Sequence, residues 1–414
     1  MLHQNTHNQS EVLQRILKYS HLHTNYRNLS LNLIASENLM SPMTQQMLST
    51  DMGNRYSYGE AGNKVFAGTD FLDEIEQVAV CLTKELFSAE YANVQPISGM
   101  VANLVTYNAV LEKGDTVMSL PVRQGGHYSH DKNGILKLFG VNIEYLPFNN
   151  VEFCIDIEKA EQAILFHKPK AIIVGAMEFL FPVALKELKE ICQKTGTFVI
   201  YDGAHVAGLI AGKSFQDPLK EGADILTFST NKTLGGPDHG VVACADAEKF
   251  QEKIWKGIPL FVSNNHPHHI AGLAVTLSES QEFGKEYASQ VVQNAKTLAQ
   301  AMFHNGVDVL CSHKGFTQSH TVLVHTHKNA MQVMRLLESA EIMSSTYMNA
   351  DDTEYETGLR FGTNELTRLG MKEQEMKTIG KLIADVLFLR ITVDEAKMMS
   401  NEIRRSFQSI QYCY

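Results

Sequence analysis

Apolar residues along the chain fall into two regimes. From about Leu31 to Val262, short runs rich in β-branched residues alternate with helix-length segments whose apolar positions recur every three to four residues. The strand-like runs include Ala171–Val174, Phe198–Tyr201, Ile225–Thr230 and Val241–Cys244, with Ala184–Gln193 reading as a helix between the first two. Such alternation implies α/β architecture: a mainly parallel sheet covered by helices, with ligands gathering at the carboxyl ends of the strands. After Ile270 a long helical pattern runs through Ala301 and closes at Asn305-Gly306, a glycine suited to a helix C-terminus. Shorter pieces follow: strands at Val307–Cys311, Thr321–His325 and Leu359–Phe361, a helix over Ala330–Ala340 and a terminal helical segment. The pattern thus predicts an N-terminal helical arm (1–30), a large ligand-binding domain (31–270) and a smaller C-terminal α+β domain (271–414). In the arm, Ser10 is placed to cap a helix carrying Val12, Leu13, Ile16 and Leu17 on one side, a face that needs a partner surface.

Charge and composition narrow the function. With 36 basic and 46 acidic residues, the formal charge of −10 lacks the basic footprint of a nucleic-acid or anionic-membrane binder. The longest apolar stretch, Ala171 to Leu185, contains Glu178 and Pro182 and falls short of the roughly 20 residues of a membrane span. Residues Met1 to Tyr19 are polar, without the apolar core of a signal peptide, so a cytoplasmic location is expected. Six cysteines stand without metal-ligand spacing and read as reduced thiols. The histidine-rich run Asn264-Asn265-His266-Pro267-His268-His269 reads as a loop before a helix rather than a metal site, because the proline interrupts any regular ligand face. A small-molecule enzyme fits these properties best.

Candidate chemistry lies at two strand ends. Asp202 closes the run Phe198–Tyr201, and Lys232 follows Thr227-Phe228-Ser229-Thr230-Asn231 thirty residues later. A carboxylate at one strand end can pair with a protonated pyridine nitrogen, while an amine at the next forms a Schiff base with the aldehyde of pyridoxal 5'-phosphate. Taken alone, Lys232 also reads as a surface lysine and Asp202 as a helix cap. Ser98-Gly99 opens a helical pattern after the strand-like Asn93–Gln95 and offers a hydroxyl and backbone N–H groups to a phosphate, although an ordinary capped helix looks the same.

Four segments resolve the ambiguity. Leu33-Ile34-Ala35-Ser36-Glu37-Asn38, Gly125-Gly126-His127-Tyr128-Ser129-His130, Asp202-Gly203-Ala204-His205-Val206-Ala207-Gly208-Leu209 and Gly358-Leu359-Arg360-Phe361-Gly362-Thr363 resemble, in order, the serine hydroxymethyltransferases. Ile210-Ala211-Gly212-Lys213, Phe215-Gln216-Asp217-Pro218-Leu219 and Leu366-Thr367-Arg368-Leu369-Gly370-Met371 are most similar to the archaeal branch. The resemblance implies a fold-type I, aspartate aminotransferase-like enzyme that uses pyridoxal 5'-phosphate, acts on an amino acid through a glycyl quinonoid and works as a homodimer. It implies Lys232 as the cofactor lysine, Asp202 as the pyridinium partner, His127 stacked on the ring and His205 near the phenolic oxygen. Ser98, Gly99 and Ser229 are implied on the cofactor too, with Tyr56 reaching the phosphate from the neighbouring subunit. Arg360 is implied to grip the substrate carboxylate, aided by Ser36.

The pattern breaks on the one-carbon side. Tyr58 stands at the family's catalytic glutamate position in Tyr56-Ser57-Tyr58-Gly59-Glu60, which places it among the substrate-binding residues. A phenol, with an ordinary pKa near ~10, cannot serve as the same base at neutral pH. Glu60 lies two residues on and could reach inward if the loop differs. Val65 and Phe66 replace a tyrosine pair, Asn231 replaces the histidine before the lysine, and Asp238 stands where bacterial members carry an arginine. Near Gly175-Ala176-Met177-Glu178 the usual serine is missing, and Glu178 reads as a loop residue in preference to a new acid/base. The expected function is therefore cleavage or formation of the Cα–Cβ bond of a β-hydroxy amino acid, as a specialised aldolase or transaldolase acting on an aldehyde. Ordinary hydroxymethyl transfer with tetrahydrofolate is the alternative. A catalytically silent regulatory homologue would have no need of Lys232, Asp202, His127 and Arg360.

Overall fold

The computed structural model describes residues 9–349, 352 and 356–414. Its centre is a seven-stranded sheet built from Tyr91–Asn93 (β1), Thr116–Ser119 (β2), Asn142–Tyr145 (β3), Ala171–Gly175 (β4), Phe198–Asp202 (β5), Ile225–Ser229 (β6) and Gly240–Cys244 (β7). The strand order is β1-β7-β6-β5-β4-β2-β3, parallel throughout except for β7, which runs antiparallel to both neighbours. Every residue of β4, β6 and β7 is buried, the signature of a sheet covered on both faces. On one face, helices Gly99–Val110 and Ala247–Phe261 pack Val105, Tyr107, Phe250 and Ile254 against Ile200, Ile225 and Val242. On the other, helices Asp70–Phe87 and Pro267–His304 bury Phe87, Leu273 and Val291 with Phe228 and Tyr201. The rings of Phe87 and Phe228 stack with centroids 4.4 Å apart.

The helix expected after Ile270 begins earlier, at Pro267, and runs 38 residues to His304. Proline at the first helical turn needs no hydrogen-bonded N–H, so His268 and His269 belong to the helix rather than to the loop before it. Its first half packs Ile270, Leu273 and Leu277 into the large sheet's core. Its last turns bring Ala295, Leu298 and Met302 into a second core, so one rigid rod joins both.

That second core lies on a four-stranded antiparallel sheet of Asp308–Val309 (β8), Thr321–His325 (β9), Ser345–Tyr347 (β10) and Gly358–Gly362 (β11), in the order β8-β9-β11-β10. Leu31 and Leu33 also pack into it, because Leu31–Asn32 pairs in parallel with Ile342–Met343. The N-terminal helix spans Gln9–Leu29, so Ser10 is a helical residue and not the cap. Val12, Leu13, Ile16 and Leu17 all lie exposed, Ile16 to 60 %. No helix among the described residues is long and apolar enough to cross a membrane.

The turn between β6 and β7 is held from below. Thr233 Oγ accepts from the Gly208 N–H at 3.0 Å and donates to the His205 carbonyl at 2.9 Å. A Cβ on Gly208 would stand 2.2 Å from the Thr233 carbonyl oxygen, a backbone atom that cannot step aside without moving Lys232. Gly208→Ala is therefore expected to cost about 1–3 kcal/mol of stability and to lower cofactor retention. Thermal melting and the ratio of bound pyridoxal phosphate to protein measure the two effects.

Candidate active site

Strand direction gathers the chemistry. β5 ends at Asp202, β6 at Ser229 three residues before Lys232, β4 at Gly175 and β2 at Ser119, whose following loop carries His127 and His130. β1 is antiparallel to β7 and hence parallel to β6, so it delivers the N-terminus of Gly99–Val110 to the same edge. Ser98, Gly99, His127, Asp202, His205, Ser229 and Lys232 line one cavity of about 200 Å³ together with Asn103, Ala176 and Asp238.

Asp202 is buried, and its charge is secured by partners remote in sequence. Oδ2 accepts from Asn103 Nδ2 at 2.8 Å and meets His130 Nε2 at 3.0 Å, while Oδ1 accepts from the Ala204 N–H at 3.0 Å. Each partner is oriented by another. Thr227 Oγ donates to Asn103 Oδ1 at 2.6 Å, which leaves the amide's N–H groups for Asp202. The Tyr107 hydroxyl bonds His130 Nδ1, and burial drives this phenol well above its ordinary range, so it keeps its proton; ionised Asp202 can only accept, so His130 Nε2 carries the proton that faces it. Burial alone would raise the Asp202 pKa; the His130 and Asn103 contacts outweigh it and hold the carboxyl below the usual carboxylate range.

Lys232 is tied by its backbone. Its carbonyl accepts from the Gly235 N–H at 3.0 Å and from Asn38 Nδ2 at 2.9 Å, so the Leu33–Asn38 segment braces the lysine turn. Its Nζ lies 3.1 Å from His205 Nε2. Burial and Arg360 push the ammonium below the ordinary lysine range against the pull of Asp202, and burial takes His205 well below the ordinary histidine value. The pair therefore offers a neutral imidazole beside an amine that loses its proton readily. Burial also lowers His127 to about 4, so its ring is neutral at physiological pH, with Nδ1 accepting from the Ser129 N–H at 3.1 Å.

The cavity suits a phosphorylated aromatic aldehyde. Ser98 caps Gly99–Val110, its Oγ accepting from the Val101 N–H at 3.2 Å. A Cβ on Gly99 would come within 2.9 Å of Ser229 Cβ, so only glycine lets that helix N-terminus reach the strand end. The buried Ser229 hydroxyl, Asn231 Oδ1 and His205 Nδ1 have no hydrogen-bond partner among the described residues. The unpartnered Ser229 hydroxyl, beside that helix N-terminus, fits a phosphate.

Arg360 lies outside that cavity lining. It is buried on β11, donating from Nε to Ser345 Oγ at 3.1 Å and from Nη1 to the Met177 carbonyl at 3.2 Å. Glu178 stands 3.2 Å from the same Nη1 and is itself buried, so it is a loop residue with an ion-pair role that the sequence reading passed over. Ser36 is half-buried on a segment whose Leu33 carbonyl accepts from the Gly362 N–H at 2.7 Å; among the described residues it makes no side-chain bond to Arg360. Tyr56 and Tyr58 are not among the lining residues. Tyr56 is exposed against Phe66, with ring centroids 5.1 Å apart, and Tyr58 precedes the surface hairpin Gly59–Glu60/Asn63–Lys64, on which Glu60 is exposed.

Comparison with known proteins agrees with this architecture. The family model described as serine hydroxymethyltransferase matches residues 9–383. The serine hydroxymethyltransferase of Methanopyrus kandleri is 42% identical over 410 residues, covering 97% of this chain and 95% of its own. That of Archaeoglobus fulgidus is 40% identical over 400 residues, covering 95% and 91%. Among solved structures, L-threonine transaldolase from Pseudomonas fluorescens in its internal aldimine state superposes with a TM-score of 0.91 at 26% identity, covering 98% of this chain and 94% of that one. The chain is thus a member of the serine hydroxymethyltransferase family, a fold-type I enzyme dependent on pyridoxal 5'-phosphate.

Proposed function

We propose that this enzyme makes or breaks the Cα–Cβ bond of a β-hydroxy amino acid as a specialised aldolase or transaldolase, with an aldehyde in place of a folate-borne one-carbon unit. The observation that carries this reading is the contrast between the retained Lys232, Asp202 and His127, which line one cavity, with Arg360 buried outside it, and Tyr58 at the glutamate position with Val65 and Phe66 beside it. The transaldolase likeness supports the same direction. Ordinary tetrahydrofolate-dependent hydroxymethyl transfer is the second reading, favoured by the names of the 38–42% identical relatives.

When bound, pyridoxal phosphate supplies an aldehyde that condenses with amines and a ring that withdraws the electron pair released at Cα. Lys232 supplies the amine that anchors it, and the neutral His205 ring at 3.1 Å positions Nζ by a hydrogen bond. Asp202, kept ionised by His130 and Asn103, would hold the cofactor's pyridine nitrogen protonated. His127, a neutral imidazole, would cover one ring face, and Ser98, Gly99 and Ser229 would take the phosphate. Arg360, aided by Ser36, seats the α-carboxylate, since a guanidinium matches a carboxylate in bidentate fashion. We further propose a cytoplasmic homodimer, with Tyr56 and Tyr58 serving the second copy's site and the exposed apolar face of Gln9–Leu29 covered by it. The large domain at 31–270 and the smaller one at 271–414 are our working boundaries.

Glycine with a range of aldehydes is expected to yield β-hydroxy amino acids without folate, read by product chromatography. Any long-wavelength absorbance that glycine produces is expected to ignore added tetrahydrofolate; a strong increase on its addition would instead establish the second reading. Tyr58→Glu is expected to raise folate-dependent serine cleavage on the order of a hundredfold, and no gain would remove the role assigned to that position.

The Asp202 network gives a separate expectation. Asn103→Leu removes one of two donors to Oδ2 and should weaken pyridoxal phosphate binding about tenfold, followed by fluorescence on titrating the apoenzyme. Asn103→Asp, which sets a like charge beside Asp202, should weaken it further.

A further inference from the structure

The roles above leave Glu178 without a part. It follows β4 by three residues and is 4 % exposed, packed so close to Gly125 that a Cβ there would stand 3.3 Å from Oε2. One side of the carboxyl faces Arg360 at 3.2 Å. The other helps wall a cavity of about 280 Å³ whose remaining lining includes Leu120, Phe148, Phe153, Phe179 and Phe181. Ala176 belongs to both this cavity and the one holding Lys232.

The neighbouring elements bring few charges to bear. β11 presents Arg360, β10 presents Tyr347, and Glu356 precedes β11. Cys154 and Lys314 line the same cavity, but Lys314 is occupied by Glu152 at 3.4 Å and by the Phe181 ring at 4.3 Å. Tyr347 and Cys154 both keep their protons, each pushed up chiefly by burial. Arg360 is accordingly the cation that favours the charged form of Glu178 against burial, and it is also the residue read above as the substrate's carboxylate anchor.

We propose that Glu178 is a displaceable internal carboxylate, which occupies the Arg360 guanidinium in the free enzyme, yields it to the α-carboxylate of the incoming amino acid and takes up a proton as it does so. The inference rests on the reading of Arg360 as that anchor. Two carboxylates on one guanidinium in a dry site repel each other, and the substrate's arrives ionised. Once Glu178 shares its cation, its apolar surroundings favour the neutral form, so one oxygen gains one proton from solvent and the charge around Arg360 is conserved. The neutral carboxyl then has an O–H to donate to the substrate carboxylate. Burial already pushes Glu178 up to about 7 in the free enzyme, Arg360 pulling it down and Glu356 adding to the rise. Below that pH the group is protonated before substrate arrives; above it, binding must draw a proton, and affinity falls by up to tenfold per pH unit.

Calorimetric titration of glycine into the pyridoxal-phosphate-loaded enzyme at pH 8, in two buffers of different ionisation enthalpy, counts the protons. The native enzyme is expected to take up close to one proton more per glycine than Glu178→Gln, and the variant to bind glycine about tenfold more tightly at that pH. Glu178→Val, which suits the apolar wall, stands in if the amide folds poorly. Equal proton counts in native and variant enzymes overturn the proposal. Arg360→Ala separates the two levels: undiminished glycine affinity there overturns the anchor reading itself.

Discussion

A buried negative charge at the end of β5 sets the terms for the rest of the site. Asp202 has little contact with water, and a carboxyl so placed would take a proton unless donors were built around it. Those donors come from a helix on one face of the sheet, Asn103, and from the loop after β2, His130. Each is oriented in turn by Thr227 on β6 and Tyr107 on the same helix. Four separate parts of the chain must therefore be in register before the carboxylate is secure. The sheet order, with β6 beside β5 and the helix Gly99–Val110 laid across them, is what brings them together.

This explains which parts of the site can be read along the chain. Asp202 and Lys232 each follow a strand-like run, so their position is written in local pattern, and the mainly parallel sheet follows from the alternation around them. Thr227, by contrast, reads as one more β-branched strand residue, and Tyr107 as an apolar helix position. Asn103 carried a weak signal, since an amide within the apolar helix Gly99–Val110 needs a buried partner, but nothing local names Asp202 as that partner. His130 lies inside the Gly125–His130 segment, where nothing local gives it a role, because its contact spans 72 residues.

Glu178 illustrates a different limit. Charged residues are seldom buried, so a glutamate in a strand-to-helix connection reads as solvent-facing. Its burial follows from the small sheet, which brings Arg360 and Tyr347 against the loop after β4. Periodicity sees each element's own faces and not which elements meet. The same holds for the long helix Pro267–His304, whose helical pattern is plain in sequence while its service to two cores is not.

The altered positions divide over this architecture: Asn231 and Asp238 line the cavity around Lys232, while a second group lies near the surface. Lys232, Asp202 and His127 sit among buried partners supplied by the same chain, where a substitution would disturb packing, hydrogen bonds and charge together. Tyr58, Val65 and Phe66 lie on and beside a surface hairpin, with Val65 and Phe66 exposed in the single chain. That hairpin is itself anchored, by Lys64 to buried Glu76 and by Gln95 to the Gly59 carbonyl, so it presents these side chains as a binding loop carried by a rigid scaffold does. Glu178 is different, being buried beside Arg360. A buried carboxylate placed against a substrate-binding guanidinium would be costly as a bystander, since it competes for the one cation the substrate needs. Its presence at that position is physically intelligible if the competition itself tunes when and how tightly the amino acid is held.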